Sequence, residues 1–181
     1  MLVTMPYRRD RAVEYAKTWA MSRNPLFENY AGIGGDCTNF VSQAIYAGSC
    51  VMNYTETFGW YYRSPVSRAP AWTGVEFFYN FFASNEGLGP YATEVSREGV
   101  DLGDVVQLAD ETGDYYHTLI ITGFDGEEIL VSAHTNDALD RPLSTYDYGS
   151  ARFLRIEGVR IRVPNRFAPN CFLGLINGRK I

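Results

Sequence analysis

The chain has 181 residues, 46% hydrophobic and 20% charged, which fits one soluble domain around a single core. A net charge of −5 lacks the basic footprint of a nucleic-acid binder, and no run approaches the roughly 18 apolar residues of a membrane span. No apolar stretch precedes Arg8 and Arg9, so no signal peptide is read; the chain is expected inside the cell, or as an excised domain of a secreted or cell-wall protein.

Residues 6–21 read as a first helix, with Pro6 at its start and Ala12, Val13, Ala16, Trp19 and Ala20 at helical spacing. Asn24-Pro25 stops it. A glycine turn, Gly32-Ile-Gly-Gly35, leads to Asp36 as expected N-cap of a second helix over 37–47, whose apolar stripe is Phe40, Val41, Ala44 and Ile45. Residues 49–72 read as a long loop. Thr73-Gly-Val-Glu76 has the form of a capping box opening a third helix to about Ala83, with Phe77, Phe78, Phe81 and Phe82 as its buried face.

The second half reads as β-structure. Strands are expected over 104–108, 115–124 and 127–134, with Asp125-Gly126 as a hairpin turn between the last two. A second hairpin is expected from 151–156 and 159–163 around Glu157-Gly158. No repeat or linker interrupts residues 1–181, and the tail from 164 has no regular pattern.

Three cysteines are too few for a disulfide scaffold; at most one pair can form, and Cys50 and Cys171 read as small buried apolar residues. Cys37 differs because it falls in the first turn of a helix, where free N–H groups and the helix dipole favour thiolate. The same N–H groups, that of Cys37 first, could hold an oxyanion. A thiolate hydrolase also needs a base, and the chain has only His117 and His134.

A two-residue turn at Asp125-Gly126 pairs Phe124 with Glu127, and counting back sets His117 opposite His134, roughly 5 Å apart at Cβ. A four-residue loop would set Asn136 there instead. Either residue could orient an imidazole. Facing histidines with Cys37 could also hold zinc, but neither Cys-x-x-Cys nor His-Glu-x-x-His spacing occurs, so no metal or other cofactor is expected. Trp60-Tyr61-Tyr62, with Asp36, could line a substrate groove, or the aromatics could pin a loop to the core. Asp104 after Gly103 reads as a turn or cap residue.

Gly34-Gly-Asp-Cys-Thr-Asn-Phe-Val-Ser-Gln43 resembles the nucleophile helix of NlpC-type cell-wall peptidases and CHAP amidases. Leu102-Gly-Asp-Val-Val-Gln-Leu108 followed by His117-Thr-Leu-Ile-Ile-Thr-Gly123 is similar to their base strand. With Tyr15-Ala16, Trp19, Arg23-Asn-Pro25, Tyr46-Ala-Gly48, Met52-Asn53, Trp60-Tyr61-Tyr62 and Ala133-His-Thr135, the set resembles the "putative amidase domain" family of Gram-positive bacteria over about 7–156; residues 157–181 match nothing.

The resemblance implies an α+β, papain-like fold, with N-terminal helices packed on an antiparallel sheet. It implies Cys37 as nucleophile and His117 as base, and leaves His134 and Asn136 both open as the third member. The expected substrate is a peptide or peptidoglycan amide, with no nucleic-acid partner. An acyltransferase would share every motif, and a catalytically silent wall-binding module would share the fold.

Overall fold

The computed structural model describes residues 1–163 and 171–180. Strand β1 (Leu2–Met5) precedes helix α1 (Arg9–Trp19), which buries Ala12, Tyr15 and Ala16 along one stripe. The Tyr15 hydroxyl donates to the Gln43 side chain (2.7 Å) and accepts from Asn24 (2.9 Å), joining α1 to helix α2 (Asp36–Ser49). α2 is buried almost end to end, which fits its lack of charge after Asp36.

The region expected to be a loop holds small elements: strands β2 (Tyr62–Ser64) and β3 (Ser67–Arg68), and a single turn of helix, α3 (Pro70–Thr73). Helix α4 (Val75–Ser84) follows. The capping box does not form. Gly74 is the N-cap, the Thr73 hydroxyl accepts from Arg68 (3.2 Å), and Glu76 pairs with Arg152 (3.0 Å). Phe78, Phe81 and Phe82 are buried as expected, each contributing about 1.5–3 kcal/mol. Phe77 is not; it is 59% exposed.

The sheet contains β4 (Gly89–Val95), β5 (Val105–Ala109), β6 (Tyr115–Asp125), β7 (Glu128–Ala133), β8 (Ala138–Pro142) and β9 (Ser150–Arg162). Its path runs β1-β9-β5-β6-β7-β8, with β4 also paired to β9 and every pairing antiparallel. The architecture is thus mixed α+β, with helices on an antiparallel sheet.

The second hairpin does not form: residues 150–162 are one strand. Tyr91 pairs with Gly158 and Ala92 with Ile156, so Glu157 is the extra residue of a bulge rather than part of a turn. Gly158 is needed because a Cβ there would lie 2.7 Å from the Thr4 side chain.

The two sheet faces carry separate clusters. One includes Val105, Ile120, Leu154 and Ile156 with the helical residues Ala16, Phe40, Val41, Phe78 and Phe82. The other includes Val106, Leu108, Leu119, Ile121 and Val131, covered by Leu143, Tyr146 and Tyr148. Asp104 goes beyond the expected turn role. Fully buried, it accepts from Arg9 (2.6 Å) and from the N–H groups of Asp101 (2.8 Å) and Ile156 (2.9 Å), tying α1, β5 and β9 together.

Cys50 and Cys171 are not separate buried thiols. They form a disulfide, with Cα atoms 5.7 Å apart, that ties the end of α2 to helix α5 (Cys171–Ile176). The tail's first stretch, 164–170, lies outside the described residues.

Candidate active site

The α2 N-terminus differs from expectation in one position. Gly35, at φ +93°, is the N-cap, and Asp36 begins the helix. A side chain at 35 would be strained, and its Cβ would lie 2.9 Å from the Thr73 carbonyl. As a glycine, Gly35 supplies no side-chain cap to this end. The first ladder bond is from the Asn39 N–H to the Gly35 carbonyl (2.9 Å), which leaves the Cys37 N–H in the unpaired first turn.

Cys37 is the free cysteine among the described residues and is 6% exposed. Burial pushes its thiol up; the Thr118 and Thr38 N–H groups and the Thr38 hydroxyl, 3.8 Å from Sγ, pull the other way. Thr118 faces α2, its hydroxyl 2.9 Å from that of Thr38.

Asp36 does not line a groove; it is 1% exposed. Its Oδ1 accepts from the Tyr30 N–H (3.0 Å) and the Asn39 amide (3.1 Å), and its Oδ2 meets His134 Nδ1 (2.9 Å) and Arg23 Nε (3.2 Å). Burial raises this carboxyl, but the bonds from His134, Tyr30 and Asn39 outweigh it and hold it below the usual range. Arg23 also forms a two-pronged pair with Asp137, both bonds 2.9 Å. Sequence reasoning missed Arg23, Tyr30 and Asp137. Arg23 belongs to the segment that resembles the family, but nothing in its spacing to Asp36 discloses the ion pair.

His134 occupies a different place from the one the hairpin count gave it. Its Nε2 meets the Trp19 carbonyl (2.9 Å), its Nδ1 meets Asp36, and its ring stacks on Phe40 at 4.1 Å between centroids. Both ring nitrogens are committed, so His134 offers neither to His117. The cause is register. The turn is Gly126-Glu127, with Asp125 opposite Glu128, and a bulge falls between Ile121 and Gly123. Continued past Ile120 opposite Ser132, this pairing brings Thr118, not His117, level with His134.

His117 pairs with Leu108 and so shares the sheet face of the second cluster, opposite α2. It packs between Tyr116 and Tyr146, 9% exposed, and no hydrogen bond joins its ring to Cys37, His134 or Asn136 among the described residues. Burial, with a lesser push from Arg141, lowers it to about 4 and keeps it neutral at pH 7. Asn136 is an exposed turn residue at φ +60°, beside Thr135 at +62°, a role suited to Asn.

Trp60 is not a groove residue either. It is fully buried among Trp72, Phe81 and Phe82 and donates to the Ser42 hydroxyl (3.0 Å). Tyr62 lines a cleft with Phe27, Tyr46 and Arg63, and its hydroxyl accepts from the Glu28 N–H (2.9 Å). Tyr61 is half-buried under Arg63, whose guanidinium lies 5.3 Å from its ring centre.

The structure therefore has an α+β frame, a thiol in the first turn of a helix and an aspartate–histidine–arginine cluster beside it. Residues 6–156 match the "putative amidase domain" family, and the chain belongs to that family. It is 34% identical over 146 residues to the uncharacterized protein YhbB of Bacillus subtilis (strain 168), covering 78% of this chain and 45% of that protein. It is 27% identical over 144 residues to YjcM, another uncharacterized protein of the same strain, covering 75% and 32%. The chain thus spans less than half the length of these relatives. No solved structure matches it.

Proposed function

We propose that this chain is a cysteine-dependent amide hydrolase of papain-like type, with Cys37 as nucleophile. The observation that carries the reading is the free Cys37 thiol in the first turn of a helix whose N-cap, Gly35, supplies no capping side chain. Family membership supports amide cleavage in general. The similarity of the Cys37 and His117 segments to NlpC-type and CHAP enzymes supports a bacterial cell-wall peptide as substrate.

His117 is the proposed base, because its ring nitrogens have no hydrogen-bond partner among the described residues and its imidazole is neutral, whereas His134 is committed at both. It takes the thiol proton as sulfur attacks the carbonyl carbon, and the Cys37 N–H holds the oxyanion. His117 then protonates the departing amine, leaving a thioester. Water attacks the thioester, giving its proton to His117 and releasing the acid; the proton returns to sulfur. Without a Cys37–His117 bond in the resting structure, the reading requires the His117 ring to reach the sulfur when substrate binds. His134 and Asp36 hold the start of the nucleophile helix and take no part in proton transfer.

The test is amine release from purified peptidoglycan and from a peptide amide, with iodoacetamide labelling mapped by mass spectrometry. The expected result is single-site labelling at Cys37, loss of turnover on labelling, and loss in both Cys37→Ala and His117→Gln. Turnover retained by Cys37→Ala, or lost to a chelator and restored by zinc, would overturn the mechanism.

A further inference from the structure

On a different part of the surface, the loop from Asn53 to Trp60 faces α4 across a cleft of about 490 Å³. The loop is built to be rigid. Asn53 and Trp60 bond each other's backbone in both directions (2.9 and 2.8 Å), the Gly59 N–H donates to Thr55 (2.8 Å), and the Thr55 N–H donates to the Asn53 side chain (2.9 Å). Thr57 sits at φ +65°, which a β-branched residue adopts only under constraint. At the tip of this loop Phe58 is 84% exposed.

Across the cleft Phe77, the phenylalanine of α4 that leaves the core, is 59% exposed, with Asn80 and Ser84 on the same helical face. The lining thus pairs two solvent-facing rings with amides and hydroxyls. Among the described residues its one charged side chain is Glu86, with no lysine or arginine.

We propose that this cleft is a binding site for a neutral pyranose saccharide. Sugar rings carry apolar C–H faces that lie against exposed aromatic rings, and hydroxyl edges that bond amide, hydroxyl and carboxylate groups. The absence of a cation among the described lining residues argues against phosphate-bearing ligands, and the neutral polar groups beside each ring argue against a purely apolar peptide. A rigid loop carrying Phe58 lowers the ordering cost of such weak binding. The site is independent of the chemistry assigned to Cys37 and is tested without turnover.

Calorimetric titration with cellotetraose and chitotetraose, and with an apolar tetrapeptide amide, decides the matter, with amide shifts in nuclear magnetic resonance spectra locating the contact. At least one saccharide should bind with a dissociation constant on the order of 1 mM. Phe58→Ala and Phe77→Ala should each weaken it about fivefold, the worth of one aromatic stacking contact. Both rings are exposed, so both variants should keep the native melting temperature. Phe58→Trp should bind at least as well as the native chain. The proposal is overturned if neither sugar binds, if only the tetrapeptide binds, or if sugar affinity is indifferent to both alanine variants.

Discussion

His134→Ala tests whether this imidazole supports the frame or the chemistry. The ring is 1% exposed and stacked on Phe40, so removing it leaves a cavity worth about 3–5 kcal/mol, by analogy with large aromatic truncations. It also strips a partner from Asp36 and from the Trp19 carbonyl, each buried group adding about 1–3 kcal/mol where water cannot replace the bond. Partial relaxation brings the total to on the order of 5 kcal/mol, a large share of a domain's stability. For a chain of this size that lowers the melting temperature by roughly 10–20 °C. Thermal unfolding followed by near-ultraviolet circular dichroism measures it, with His134→Gln as a partial rescue that restores one hydrogen bond. A melting temperature within about 3 °C of native, with turnover reduced by orders of magnitude, would refute the reasoning and restore His134 to the catalytic apparatus.

His117 gives a pH signature of the opposite kind. Its folded value, about 4, lies below the ordinary 6.5, so its contribution is fully present above pH 6.5 and is lost as pH falls toward 4. The loss is about 3 kcal/mol, and urea unfolding across that range should show it flattened in His117→Gln. Reducing the Cys50–Cys171 bond, which spans 121 residues, should lower unfolding free energy by about 4–5 kcal/mol in the chain-entropy account. Urea midpoints with and without dithiothreitol check it, and Cys50→Ala should be insensitive to the reductant.

The elements that the sequence disclosed are those whose pattern is local. Helical spacing in α1, α2 and α4 and the apolar runs of β5, β6 and β7 gave both type and approximate bounds. β4 was hidden because Gly89-Pro90 looks like a stop and its burial does not alternate. Asp125-Gly126 and Glu157-Gly158 carry the same local signal. One lies at a hairpin turn, displaced by a residue; the other is a bulge in β9, because β1 and β4 hold that strand straight through. The site suffered from the same kind of error. A displaced turn and a bulge near Thr122 were enough to move His134 from His117 to Asp36, since each one-residue slip exchanges the faces of a strand. Cys37 was legible because its environment follows from the helix start alone.

The position of β9 governs how the chain can assemble. Residues 150–162 join β1, from the first residues, to β4 and β5 from the middle. Until this strand is made, β4 has no sheet partner and one edge of β5 stays bare, however well the helices have formed. Sheet closure is therefore a late, non-local event, bringing residues 2–5 against residues 159–162. Such closure carries a large loop entropy and slows folding relative to locally connected topologies. On a ribosome adding about 5–20 residues per second, the apolar edge of β5 waits several seconds for its cover. Helix α2 is complete long before the sheet beneath it, so the surroundings of Cys37 are finished only when nearly all of the described chain has emerged.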